Sequence, residues 1–202
     1  MQPTMPQCFE GYEIIPRRWN EKLKTYVANV VPGEFYVTQN DEAITTILGS
    51  CVSCCIRDIY KGIGGLNHFM LPDSSSADGT GKVGDWAMEF LINGILLNGG
   101  ERRNLEVKYF GGSQILPGLK GTAIGEKNIN FVREYLARES IRVAASDVGG
   151  SPPRKLLYYP KTGRVRMKYL PLTSNNEILK KENEYAGTLV THDSNAGDIE
   201  LF

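Results

Sequence analysis

Short runs of branched and aromatic residues, each cut off by a glycine, proline or asparagine turn, fill the chain from Tyr26 to Leu71. That rhythm is too quick for helices and suits strands. Tyr26 to Val31 stops at Pro32-Gly33, Glu34 to Thr38 at Asn40-Asp41, and Ala43 to Leu48 at Gly49-Ser50. Cys51 to Arg57 then runs into a turn around Asp58 to Gly62, and Gly65 to Leu71 is closed by Pro72. Further strands are expected at Leu105 to Phe110 and Ile141 to Ala145. A hairpin pairs Lys155 to Tyr159 with Arg164 to Leu170, where Val165, Met167 and Tyr169 alternate with basic residues. Only two stretches carry a sustained helical stripe. Asp85 to Asn98 places Ala87, Leu91 and Ile95 on one face with Trp86 and Phe90 beside it, and Gly125 to Glu139 turns Ile129, Val132 and Leu136 inward. The pattern predicts an α+β fold, an α/β layered sandwich with a mostly antiparallel or mixed sheet and two main helices packed on it.

The 202 residues suit one domain, with an arm at 1–25, a body at 26–172 and a polar, acidic tail at 173–202 holding one short helix, Asn176 to Tyr185. At 41% hydrophobic and 23% charged residues, disorder throughout is excluded. Equal numbers of basic and acidic residues, 23 each, argue against a globally electrostatic nucleic-acid binder. No export signal and no apolar run of membrane-spanning length is present, so a soluble, cytoplasmic protein without membrane insertion is expected. Three of the four cysteines, Cys51, Cys54 and Cys55, crowd within five positions, which favours reduced thiols over bridges. With His68 and His192 the only histidines, Cys51-x-x-Cys54 has no second paired spacing to complete a zinc site.

Cys51 and His68 form the sharpest pair, because a thiol nucleophile needs an imidazole to take its proton and return it to the leaving group. A two-residue turn at Ile59-Tyr60 would set them directly opposite each other on neighbouring strands, with Cβ atoms about 5 Å apart. The alternative is a small buried thiol and a satisfied core histidine. Gly49 and Ser50 tip the balance: two small residues before the thiol permit a bend that frees backbone N–H groups for an oxyanion. Other matches are weaker. Cys51-Val52-Ser53-Cys54 has C-x-x-C spacing but lies within an apolar run. Gly79 to Gly84 fits G-x-G-x-x-G but follows a polar stretch, which suggests a loop from Asp73 to Gly84 able to act as a lid. Six basic residues between Arg154 and Lys168, without an acidic one, form a solvated face or a docking face for an acidic partner. His192 sits in a polar tail with no evident role.

Four stretches then give a resemblance: Thr45-Thr46-Ile47-Leu48-Gly49-Ser50-Cys51-Val52, Gly64 to Pro72, Lys108-Tyr109-Phe110-Gly111-Gly112, and Asp147-Val148-Gly149-Gly150 with Arg154. In order and spacing the chain resembles the chemotaxis receptor-glutamine deamidases, the CheD family, over about Tyr26 to Leu170. The resemblance implies conversion of selected glutamine side chains on the cytoplasmic helices of methyl-accepting receptors to glutamate. It implies a catalytic set of Cys51, His68 and Thr45, with Gly49 and Ser50 positioning the oxyanion, and no cofactor. Thr45 lies six residues before the thiol, about 20 Å along an extended strand, so the chain must bend at Gly49-Ser50 for it to take part. A CheC-type phosphatase is a further partner the resemblance suggests. An adaptor for that phosphatase and a thiol peptidase are the competing functions.

Overall fold

The structure, a computed structural model, describes residues 2–71, 80–114 and 124–193. Its strands are β1 (Arg17–Asn20), β2 (Thr25–Asn29), β3 (Phe35–Thr38), β4 (Ala43–Leu48), β5 (Val52–Asp58) and β6 (Gly64–Asn67), followed by β7 (Leu105–Gly111), β8 (Arg142–Val148), β9 (Arg154–Tyr159) and β10 (Arg164–Tyr169). The helices are α1 (Thr80–Leu97), α2 (Ile124–Arg138) and α3 (Asn175–Asp193). Two five-stranded sheets form, in the orders β1-β2-β4-β9-β10 and β3-β6-β5-β7-β8. Each contains one parallel pair, β2 with β4 and β7 with β8, among antiparallel neighbours, so both are mixed. The layered α+β architecture expected from the sequence is the one observed.

β5 shows why the layers stack as they do. Its residues are buried almost without interruption, as a strand covered on both faces must be. On one side Tyr158 of β9 donates its hydroxyl to the carbonyl of Ile56, linking the two sheets. On the other, Asn67 of β6 accepts from the Cys54 backbone and donates to the carbonyl of Ala87 on α1. α1 lies on β3, β5 and β6, and α2 on β5 and β8. One apolar core runs through both sheets and both helices.

Helix α1 buries Met88, Leu91, Ile92 and Ile95, a stripe rotated slightly from the expected one, and leaves Trp86 and Phe90 more than half exposed. It also begins before the expected start, so Thr80 to Gly84 is helical rather than loop, while residues 73–79 of the suggested lid lie outside the described residues. The arm is not an appendage: β1 pairs antiparallel with β2, and Trp19 packs edge-on against its cross-strand partner Tyr26. Arg154 likewise leaves the basic face. It is buried, paired with Asp147 at 2.7 Å, and donates to the Ser113 hydroxyl and the Gly149 carbonyl.

The β5–β6 hairpin corrects the expected register. The loop has four residues, Ile59 to Gly62, because Asp58 pairs with Ile63 and its side chain caps the backbone N–H groups of Tyr60 and Lys61. Gly62 takes the left-handed conformation that closes this loop, at φ 67°. Cys55 therefore faces Leu66, and Val52 bridges Phe69. This is two positions from the expected pairing. Cys51 and His68 are diagonal rather than directly opposed, which keeps them on one face.

Candidate functional site

Gly49, Ser50 and Cys51 join β4 of the first sheet to β5 of the second, and the backbone of this junction is fixed from behind. The Gly49 carbonyl accepts from Ser113 N at 2.7 Å, that of Ser50 from Asn128 Nδ2 at 2.8 Å, and that of Cys51 from Gly112 N at 2.8 Å. Asn128, buried on α2, also accepts from the backbone of Leu71. Gly111 makes room for this approach, since a side chain there would press into the Cys51 carbonyl oxygen. With all three carbonyls held on one side, the three N–H groups face the other.

They converge on one carboxylate. Glu182 Oε1 accepts from Gly49 N and Cys51 N, each at 3.1 Å, and Oε2 accepts from Ser50 N at 3.2 Å and the Ser50 hydroxyl at 2.6 Å. This is an anion cradle beside a thiol, the arrangement that acyl transfer requires. Cys51 itself is fully buried, and burial first, then the charge and hydrogen bond of Glu182, push its thiol well above the ordinary range. Among the described cysteines all four are free.

His68 follows β6 and is held by its backbone, which donates to Glu34 and accepts from Gly33. Its ring is buried, and desolvation lowers its pKa from 6.5 to about 3, so it is neutral at physiological pH. The tautomer follows from one hydroxyl. Thr46 Oγ1 lies 2.7 Å from the carbonyl oxygen of Val30 and 2.7 Å from His68 Nδ1. A carbonyl can only accept, so the single hydroxyl proton goes to Val30 and the oxygen accepts from Nδ1–H. Nε2 is then the basic nitrogen, and it has no hydrogen-bond partner among the described residues. Glu182 and His68 share a cavity of about 140 Å³ that Ile47, Leu170 and Ile178 also line.

Thr45 and Thr46 are placed differently. Its hydroxyl donates to the Leu156 carbonyl at 2.7 Å on β9, and its neighbour Thr46 reaches the imidazole instead. Successive strand residues point to opposite faces, so only one of two adjacent threonines faces the imidazole. Cys51, Gly49 and Ser50 meet at the cradle, with His68 on the adjoining cavity. Thr46, Asn128 and Glu182 are the residues that the sequence did not single out. The adjacency of two threonines was the signal for the first. For the other two there was none, because both come from helices far along the chain.

Among the described residues no group of three or more histidine, cysteine and carboxylate side chains could hold a metal ion, and no helix is long and apolar enough to cross a membrane. A buried thiol, a neutral imidazole whose Nε2 has no partner among the described residues and a backbone anion cradle are the parts that thiol-based acyl transfer uses. The family model described as CheD chemotactic sensory transduction matches residues 70–169. The probable chemoreceptor glutamine deamidase CheD of Saccharophagus degradans is 41% identical over all of this chain and 94% of its own length. The proteins of the same name from Methylobacillus flagellatus and Herminiimonas arsenicoxydans are 49% and 47% identical, covering 87% of this chain and 89% and 88% of their own. The chain belongs to the CheD family.

Proposed function

We propose that this chain is a chemoreceptor glutamine deamidase that works through a Cys51 thioester. The observation that supports the reading is the cradle: three N–H groups immediately before and at Cys51 converge on Glu182, whose side chain also lines the cavity that holds a neutral His68. The names of the relatives supply the substrate class, glutamine side chains of chemotaxis receptors.

His68 Nε2 takes the thiol proton as sulfur attacks the amide carbon, and the carbonyl oxygen turns into the cradle as it gains charge. Nε2 then delivers that proton to the departing nitrogen, which leaves as ammonia. Water attacks the thioester with Nε2 as its base, and glutamate and the free thiol are released. Thr46 holds the ring in the Nδ1–H tautomer throughout. It is neutral, so it stabilises imidazolium less than a carboxylate would, which suits a slow modification of signalling proteins.

The test is peptide mass spectrometry of a receptor cytoplasmic fragment incubated with wild type and with Cys51→Ala. Wild type should convert particular glutamines to glutamates and the variant should not. Backbone scission would identify a peptidase. Binding of a CheC-type phosphatase without any conversion by wild type would identify an adaptor.

A further inference from the structure

The Glu182 carboxylate sits where catalysis needs an empty place. The three backbone donors of the cradle and the Ser50 hydroxyl are all taken by it, and its charge beside the thiol opposes thiolate formation. A residue that helped the reaction would do neither. Glutamate is, however, the product of glutamine deamidation, and four donors on one side-chain carboxylate are what a bound product would receive.

Helix α3 delivers this group by a narrow stripe. Ile178, Glu182 and Tyr185 recur at the spacing of one helical face. Ile178 and Glu182 are buried, and the Tyr185 ring lies over Gly33, where a Cβ would clash with it. Lys180, Asn183 and Glu184 are exposed, while Glu177 and Lys181, also largely exposed, edge the cavity that Ile178, Glu182 and His68 line. Leu170, Pro171 and the 3₁₀ turn Leu172–Ser174 join α3 to β10, and α3 belongs to neither sheet.

We propose that α3 is a built-in product analogue: Glu182 occupies the place of the reacting side chain, and a substrate glutamine reaches Cys51 only after α3 leaves its seat. The proposal rests on the deamidase reading. It makes α3 a competitive inhibitor tethered to its own enzyme, and the seat it vacates is a groove for one helix. A substrate helix with an apolar residue four positions before its glutamine and an aromatic three positions after would fill that groove as α3 does.

The full chain carries the test, with Glu182→Ala and the isosteric Glu182→Gln. In Glu182→Ala, alkylation of Cys51 by iodoacetamide, read at that peptide, should quicken about tenfold and deamidation of a receptor fragment should rise with it. In Glu182→Gln, the introduced amide should itself be converted to a carboxylate, at a rate independent of protein concentration and abolished by adding Cys51→Ala. Alkylation at the wild-type rate in Glu182→Ala overturns the proposal. So does a Glu182→Gln protein whose introduced amide stays intact while it still deamidates the receptor. If wild type and both variants leave the receptor unchanged, the deamidase reading has failed, and alkylation alone then decides whether α3 covers the thiol.

Discussion

Cys51 and Cys55 stand four residues apart, both buried and both with thiols pushed well above the ordinary range. They differ in their backbone. Cys55 lies inside β5 with its ladder complete, paired to Leu66 on one side and Lys108 on the other. Cys51 lies one residue before the strand begins, and its N–H points out to the Glu182 carboxylate. Burial and a raised pKa therefore do not separate the proposed nucleophile from a packing residue in this protein. The difference lies in the peptide N–H that no neighbouring strand has taken, because an oxyanion needs donors outside the ladder.

The largest test of that contrast is deletion of each thiol. Cys51→Ala should lower deamidation at least about a thousandfold, whereas Cys55→Ala should keep turnover and lose about 1–2 kcal/mol of stability, read by urea denaturation. Activity retained by the first variant and lost by the second would reverse the assignment.

Next come the two threonines. Thr46→Val leaves the buried Nδ1–H without its acceptor and should cost about ten- to a hundredfold in kcat with KM little changed. Thr45→Val removes only the bond to Leu156 and should change kcat by less than about twofold. Equal effects would place the imidazole against both hydroxyls and remove the reason for preferring one.

A smaller effect belongs to acid stability. His68 titrates near 6.5 when unfolded and near 3 when folded, so the unfolded chain binds the extra proton between those values. Stability from this residue is fully present above pH 6.5 and falls as pH drops through the window toward its folded value, by roughly a kcal/mol per pH unit. The difference between wild type and His68→Gln, followed by urea midpoints from pH 7 to 4, should show that slope. Parallel curves would mean that the ring is hydrated.

The strand and helix positions were largely readable because turn residues and apolar periods are local signals. The site was readable only in part. A four-residue loop stabilised by Asp58 is not distinguishable from a two-residue turn by hydrophobic pattern, and it moved His68 off Cys51 by two positions. Thr45 and Thr46 have the same chemistry, so only the direction in which each side chain points separates them. Glu182 stands 131 residues beyond Cys51, in a segment whose composition reads as a solvated tail. Nothing local could announce that one of its acids returns to the thiol.

Thr46 gives its only proton to the Val30 carbonyl, which lies just past the end of β2. When Nε2 is protonated, the positive charge on the ring is therefore answered along a line of polarised bonds that ends in the main chain rather than in an acidic side chain. In the proposed mechanism, the orienting partner that other enzymes place on a replaceable carboxylate is a peptide group. Substitution at position 30 leaves that oxygen in place, and only a change in how the first sheet is laid against His68 would remove it.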